Sequence, residues 1–164
     1  MQDRTRTRIT IFLSAYIAIV FVQSLFFKFT DSPETQHIFG TLDAWAGGFG
    51  LDGLFAPTGP FSQYVVGSAE LVASTILLLG LGLRRRLLSA LGAILSLGVI
   101  SGAIFFHLFT PLGIQVVNAD GSLDGGQLFA LACGVWVAAA VLVALHRAPL
   151  LALLRRSAGT APAA

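Results

Sequence analysis

The sequence predicts an all-α membrane protein: a four-transmembrane-helix antiparallel bundle with both termini cytoplasmic and a short interfacial helix in the first outer loop. Composition, four long apolar runs and the positions of the basic residues lead to this prediction. Of 164 residues, 55% are hydrophobic and only 11% are charged, and the mean hydropathy is +0.83. A soluble domain of this length needs far more charge to cover its surface.

Each of the four apolar runs comes close to the roughly 20 residues that a bilayer crossing requires. The runs are Ile9–Phe27, Tyr64–Leu83, Leu87–Phe109 and Leu128–Leu145. With their flanking caps they predict helices at about 9–28, 60–83, 87–109 and 125–146, in a single domain of about 156 residues, followed by a disordered tail at 157–164. The first run is too long for a signal peptide and lacks a small-residue cleavage pattern, so we expect it to remain as the first helix.

The basic residues predict the orientation. Three arginines precede the first run, three separate the second run from the third, and three follow the fourth, whereas Lys28 alone lies on the opposite side. The positive-inside rule then places both termini in the cytoplasm, with a bacterial inner membrane as the expected location. The pI near 9.2 does not indicate nucleic-acid binding, because these residues flank membrane ends, where they meet anionic lipid.

The two outer loops contain signals for local structure. Ser32–Glu34 supplies a helix cap, a first-position proline and a first-turn acid, which predict the interfacial helix. The segment Ile114–Leu123 is typical of a short β-hairpin with an Asp-Gly turn. Asp124 with Gln127 three residues later predicts a capping box for the last membrane helix. The hairpin oxygens lack the spacing of a calcium loop, so we expect no metal site.

Polar residues from all four runs occur at similar depth in the outer half of the predicted bundle. Glu70 is the only ionisable residue between Tyr64 and Leu83, and an acid in hydrocarbon costs roughly 3 kcal/mol or more unless it is paired. Lys28 ends the first helix on the same side, His107 ends the third, Gln127 opens the fourth, and Gln23 lies somewhat deeper. These five residues are the candidate site, for a polar headgroup, a quinone carbonyl or a proton relay.

Structural roles for the same residues remain open. Glu70 could bond across helices only to fix their packing, and Lys28 could extend its ammonium group to the interface. His107 could bond a loop carbonyl, and the two glutamines could serve packing or capping. Cys133, the single cysteine, is typical of a small core residue and excludes an intramolecular disulfide.

The third apolar run is rich in small residues. Gly98 and Gly102 form a GxxxG pair, which allows another helix to approach closely. That helix could belong to the same bundle or to a second copy, so a homo-oligomer is one expected arrangement.

At these residues the chain resembles the DoxX and DoxX-like membrane family. The resemblance lies in the order of short motifs: Lys28 and Phe29 at the end of the first helix with Pro33 and Phe39 following, Gly67-Ser-Ala-Glu70-Leu71, Phe-Phe-His107, and Asp-Gly-Gly followed by Leu-Phe before the last helix. It extends from the first membrane helix to the fourth. Lys28 and Glu70 match the family's polar positions best, and His107 matches them less closely.

The resemblance implies a small four-helix membrane protein. Some members are linked to thiosulfate:quinone oxidoreductase subunits, and others to redox assemblies with superoxide dismutase and sulfurtransferase partners. The lone Cys133 departs from relatives suspected of disulfide chemistry, so we do not expect a thiol-redox function.

Three functions follow as hypotheses. The first is a membrane subunit or a quinone- or lipid-binding site in a redox or stress-related pathway, with redox partner proteins; as an oxidoreductase component it would be a non-catalytic subunit. The second is a small proton-coupled transporter, although such a carrier is expected to place its acid at the bilayer midplane. The third is a scaffold or assembly factor without catalysis.

Overall fold

The computed structural model describes residues 3–159, and within this range the regular structure is entirely helical. The helices are α1 (Asp3–Phe29), α2 (Pro33–Gly47), α3 (Gln63–Gly82), α4 (Arg86–Phe109), α5 (Gln127–Leu145) and α6 (Arg147–Gly159). Four of these, α1, α3, α4 and α5, are long and apolar enough to cross a membrane, which confirms the predicted fold class. Helix α6 contains residues 157–159 of the expected tail, and residues 160–164 lie outside the described residues.

The four membrane helices form a closed ring in which α3 packs against α1 and α4, and α5 packs against α4 and α1. Neighbouring helices run antiparallel, so the bundle has two distinct ends. The loop end has residues 30–62 and 110–126, and the arginine end has the start of α1, the turn between α3 and α4, and the end of α5. Helix α6 packs on α4 at the arginine end.

The core of the bundle is aliphatic, with one aromatic ring. Ile17 and Phe21 of α1, Leu77 of α3, and Val135 and Leu142 of α5 are among its fully buried members. Large apolar side chains also cover the outside of the helices, as the lipid-facing surface of a membrane protein requires.

Glycines on α3 and α4 allow these two helices to approach very closely. A Cβ atom built on Gly92 would lie 2.8 Å from the backbone nitrogen of Leu77, and one on Gly80 would lie 2.5 Å from that of Ser89. By contrast, a Cβ on Gly98 or Gly102 would meet nothing within 4 Å. The close packing inside the chain therefore uses Gly80 and Gly92, and the GxxxG pair leaves a shallow outer surface on α4.

Helix α2 begins as its sequence predicts. Ser32 is the N-cap and its hydroxyl accepts a hydrogen bond from the Thr35 N–H, with Pro33 in the first turn. Helix α3 begins later than position 60, because Ser62 is its N-cap and accepts from the Val65 N–H.

A small second core lies at the loop end. We call this part, formed by α2 with residues 48–62 and 110–126, the roof. Leu42, Phe55 and Val116 are buried in it, and the Phe55 ring meets the ring of Phe106 on α4 edge-on with centroids 5.1 Å apart. Aromatic packing of this kind holds the roof onto the end of α4.

The predicted hairpin is present in the roof in its smallest form. Val117 and Leu123 form a single antiparallel bridge, and the Gly121 N–H closes the turn on the Asn118 carbonyl at 2.9 Å. Gly121 has φ +82°, the left-handed conformation that a three-residue hairpin loop requires. The Ala119 N–H donates to Glu34 of α2 at 3.0 Å, so the hairpin and α2 are joined.

Candidate functional site

The bundle contains a buried ion pair between α1 and α3. The Lys28 ammonium nitrogen lies 3.1 Å from Oε1 and 3.0 Å from Oε2 of Glu70. The two side chains are only 16% and 8% exposed. Glu70 lies seven residues after the start of α3, about 10 Å from the loop end of that helix. This is the charged centre of the candidate site.

A serine completes the coordination of the pair. The Ser24 hydroxyl donates to Oε2 of Glu70 at 2.6 Å and accepts from the Lys28 ammonium group at 3.1 Å. Ser24 and Lys28 are four residues apart on α1, the spacing that places two side chains on the same helix face. The carboxylate therefore receives hydrogen bonds on both oxygens, as a buried charge needs.

Gly67 makes space for the lysine stem. A Cβ at Gly67 would lie 3.4 Å from Cδ of Lys28 and 3.4 Å from the ring of Phe29. Since Gly67 precedes Glu70 by three residues, the two lie on the same side of α3. Lys28 therefore lies flat over the glycine, with its ammonium group directed toward the carboxylate.

A buried glutamine joins the same two helices nearer the loop end. The Gln63 side-chain amide donates to the Lys28 carbonyl at 3.1 Å and to Oδ1 of Asp31 at 2.8 Å. It thereby satisfies one of the carbonyls that the end of α1 leaves open. Neither Gln63 nor Ser24 was among the sequence-predicted residues; their helical spacing from Glu70 and Lys28 is the signal that could have found them.

His107 lies in a separate group of contacts. It is buried, and its Nδ1 donates to the Gly113 carbonyl at 2.6 Å, which assigns the proton to that nitrogen because a carbonyl only accepts. Its ring meets Phe129 of α5 with centroids 5.6 Å apart. The contacts described for His107 run to the roof and α5, and those of Glu70 run to α1.

The two remaining candidates lie on the outside of the bundle. Gln23 on α1 and Gln127 at the start of α5 are both exposed. The sequence predicts a depth for these glutamines that is close to that of Glu70. In the structure, however, they lie on helix faces that point away from Glu70. Of the five predicted residues, the structure thus brings Lys28 and Glu70 together.

Asp124 organises the start of α5, but without the predicted capping box. The N-cap of α5 is Gly126, which has φ +82° and supplies no side-chain bond. Instead, Oδ1 of Asp124 accepts from the N–H groups of Val116 and Gly126, each at 2.9 Å, and Oδ2 accepts from Leu128 at 3.0 Å. One carboxylate therefore holds both the hairpin and the first turn of α5.

The pKa of Asp124 follows from these contacts. Burial raises it, but the three backbone N–H donors and the neighbouring His107 outweigh burial and keep the pKa below its ordinary value of 3.8. The carboxylate is charged at neutral pH, so its role as an acceptor is permanent there.

The pair and its partners make a polar patch in an apolar setting. The Lys28 side chain keeps some exposure, whereas that of Glu70 is almost fully covered. An oxygen acceptor that reaches the pair would therefore approach on the lysine side, where the ammonium group is the hydrogen-bond donor. A ligand carbonyl or phosphate oxygen has the matching chemistry.

The sequence matches the DoxX family over residues 11–108. This match runs from α1 through α4, includes Lys28, Glu70 and His107, and ends before α5. Comparison with curated proteins finds no significant match, and comparison with solved structures finds none either. Because the family match covers more than half of the chain and the helices are those of an integral membrane protein, this chain belongs to the DoxX family.

Proposed function

We propose that this integral membrane protein is a non-catalytic subunit that binds the polar head of a lipid-soluble molecule, a quinone or a lipid, in a redox or stress-related pathway. The buried contact between Lys28 and Glu70 carries this proposal. A buried ion pair is weak evidence for stability, because apolar residues of similar size often stabilise a core equally well. Ionisable residues inside a membrane more often bind ligands or protons.

The residues suit a carbonyl at the edge of the bundle. The Lys28 ammonium group can offer an N–H to a ligand by releasing its bond to Ser24 while its other two donors stay on the Glu70 oxygens. The exposed ring of Phe29 on α1, which lies beside Lys28 at Gly67, would line the path of an apolar tail. A bound quinone would supply the electron-carrying ring, and the protein's own groups would hold its oxygen.

The test is the amount of quinone and lipid that remains bound after purification, measured by mass spectrometry. In Glu70→Gln the ammonium group of Lys28 loses its counter-charge and its position. Loss of a charge-assisted hydrogen bond, worth about 1.5–3 kcal/mol, should lower ligand occupancy roughly tenfold or more. Asp120→Asn is the matched control, since Asp120 is an exposed acid bonded to Ser122 in the hairpin turn.

Unchanged occupancy in Glu70→Gln, with the fold intact by circular dichroism, would overturn the proposal. Equal losses in Glu70→Gln and Asp120→Asn would do the same, because they would reflect total charge rather than the site. A loss confined to Glu70→Gln and Lys28→Met is the expected result.

A scaffold role is the second candidate, favoured by the closed set of hydrogen bonds around the pair. Ser24 and Lys28 satisfy both oxygens of Glu70 within the chain, as a purely structural lock would. In that case Lys28→Met with Glu70→Leu should fold well, retain every bound lipid and still support any redox partner.

We also propose that the arginine end faces the cytoplasm of a bacterial inner membrane. All nine arginines belong to this end by sequence position, and Lys28 is the only other basic residue of the Lys and Arg type. The test replaces Cys133 by Ala and adds Ala119→Cys or Arg155→Cys, followed by a membrane-impermeant thiol reagent on intact cells. Labelling at position 119 and protection at 155 is expected; the reverse pattern would contradict the orientation.

A further inference from the structure

A cavity at the arginine end lies between the start of α1, the end of α3, the start of α4 and the end of α5. Its volume is about 990 Å³, and four arginines line it: Arg4, Arg6, Arg84 and Arg86. None of the lining residues that the structure describes is acidic. The guanidinium groups of Arg4, Arg6 and Arg84 around one space suit an anion.

Two buried polar atoms in the wall of this cavity have no hydrogen-bond partner. They are Nε of Arg6 and Nδ1 of His146. Arg6 uses another guanidinium nitrogen to bond the Leu145 carbonyl, so its side chain is held in place with Nε left over. His146 is only 4% exposed. An unpaired buried donor such as the Nε–H of Arg6 is unusual in a folded protein and is typical of a binding site without its ligand.

The contacts of His146 indicate which ring nitrogen carries the proton and whether the ring is charged. The Thr10 hydroxyl donates to the Arg6 carbonyl at 3.0 Å and lies 3.2 Å from Nε2 of His146, so this nitrogen is the donor to Thr10. Burial, then Arg6 and Arg86, lower the pKa of His146 below 6.5. The ring is therefore neutral in a strongly positive surrounding, and its Nδ1, without a proton, is an acceptor. An anion here would be held by the guanidinium groups, not by His146.

The start of α4 adds backbone donors. Its N-cap, Arg85, makes no side-chain capping bond, and Ser89 in the first turn lines the cavity. The N-terminal end of a helix has a partial positive charge and attracts phosphate groups. The helix end acts together with the arginines and the unpaired Nε–H of Arg6.

The depth of the cavity favours a lipid as the source of the anion. Arg6 and Lys28 are 22 residues apart on α1, which is about 33 Å along the helix and comparable with a hydrocarbon core of about 30 Å. Arg6 is thus at headgroup level. Ile11, 45% exposed, and Leu81 also line the cavity, so an apolar wall lies next to the arginines.

We propose that this cavity binds the phosphate group of an anionic phospholipid. The guanidinium groups of Arg4, Arg6 and Arg84 hold the phosphate oxygens, and the acyl chains leave along Ile11 toward the bilayer. Basic pockets between membrane helices on the cytoplasmic side suit such headgroups. This site is separate from the Lys28–Glu70 pair, which lies toward the opposite end of α1.

The experiment titrates the purified full-length protein with short-chain phosphatidylglycerol, phosphatidylcholine or inorganic phosphate and counts bound molecules by native mass spectrometry. Arg4→Gln/Arg84→Gln should weaken phosphatidylglycerol binding roughly tenfold or more, because two phosphate contacts are lost. Both side chains are exposed, so the fold should survive. The matched control is Arg8→Gln/Arg85→Gln, with the same charge change at exposed positions outside the cavity lining.

The expected result is preference for phosphatidylglycerol over phosphatidylcholine, lost in the cavity variant and retained within twofold in the control. If inorganic phosphate competes at millimolar concentration and depends on the same arginines, the phosphate site stands and its natural source is soluble. Equal weakening in both double variants, or no preference among the lipids, would overturn the proposal. The single variant Arg4→Gln applies the same test if the double variant is poorly produced.

Discussion

The ammonium nitrogen of Lys28 on α1 lies within 3.1 Å of both carboxylate oxygens of Glu70 on α3. This contact is the ion pair found among the described residues. It joins α1 to α3, which are connected in sequence by residues 30–62 of the roof. Because the surroundings are apolar, the energy of this contact is sensitive to the loss of either partner alone.

A double-mutant cycle on this pair should show strong coupling. Lys28→Met removes the cation and Glu70→Gln removes the anion, and each single variant leaves the other charge buried without its partner. We expect each to lower stability by about 1–3 kcal/mol, and the double variant to lose less than the sum, with a coupling energy of about 0.5–3 kcal/mol. Thermal unfolding in one detergent measures it. Additive losses would show that the contact does not act as a pair.

Asp124 should be the most sensitive acid of the roof. Asp124→Ala leaves the N–H groups of Val116, Gly126 and Leu128 without their acceptor, at a cost of about 1–3 kcal/mol. Asp124→Asn retains one oxygen and should cost less. Because the pKa of Asp124 is lowered in the folded protein, its contribution is complete above pH 3.8 and is lost as the pH falls below that value. Hydrogen exchange at the Leu128 amide reports the effect; wild-type protection in Asp124→Ala would contradict it.

The close approach of α3 and α4 should tolerate no added methyl group at Gly92. In Gly92→Ala the new Cβ meets the backbone of Leu77, so the helices must separate, at a cost of about 1–3 kcal/mol. Gly98→Ala is the matched control on the same helix, because its Cβ has open space and alanine favours a helix by up to about 1 kcal/mol. Unfolding temperatures of the two variants should move in opposite directions. A stable Gly92→Ala would exclude tight packing there.

The stability of the arginine end should fall in mildly acidic solution. Burial and the charges of Arg6 and Arg86 lower the pKa of His146, so the folded protein favours the neutral ring. Its contribution is complete above pH 6.5 and declines as the pH falls from that value toward the lower folded pKa. In His146→Gln the decline in unfolding temperature between about pH 7.5 and pH 5.5 should shrink. His37→Gln, at an exposed position, should retain it; equal slopes in both variants would contradict the assignment.

The outer surface of α4 is where we expect two copies of the chain to associate. A Cβ atom on Gly98 or Gly102 would meet no described atom within 4 Å, and strips of small residues allow a second helix to pack closely. Gly98→Leu should therefore reduce a homo-oligomer in native mass spectrometry while the monomer unfolds at the wild-type temperature. An oligomer that survives Gly98→Leu with Gly102→Leu would use another surface.

Length and hydropathy were sufficient to predict the four spans, because a bilayer admits only long apolar helices. The boundaries depended on local chemistry that the runs do not contain: α3 begins at Gln63 with Ser62 as its N-cap, not at position 60, and Gly126, not Asp124, is the N-cap of α5. Helix α6 was missed because its 13 residues are too few for a search that looks for runs long enough to span a bilayer.

The sequence predicted how deep the candidate residues lie along their helices, but not the direction in which their side chains point. Counting residues placed Lys28 and Glu70 at similar levels and Gln23 somewhat deeper, yet successive helical residues point about 100° apart. Ser24 therefore contacts Glu70, whereas Gln23 next to it faces outward. The contact of His107 could not be predicted either. Its partner, the Gly113 carbonyl, lies in a loop, and helical periodicity does not give the conformation of a loop.

The glycines at positions 80 and 92 bear on which helix of the bundle could move to admit a ligand. Because the backbones of α3 and α4 nearly touch at Gly80 and Gly92, these two helices have little room to separate there. An opening beside Glu70 would therefore need least repacking if α1 tilted and Lys28 released the carboxylate. The ligand proposed for this site would then enter laterally from the lipid leaflet. Its rate of entry would depend on the composition and fluidity of the membrane rather than on its concentration in water.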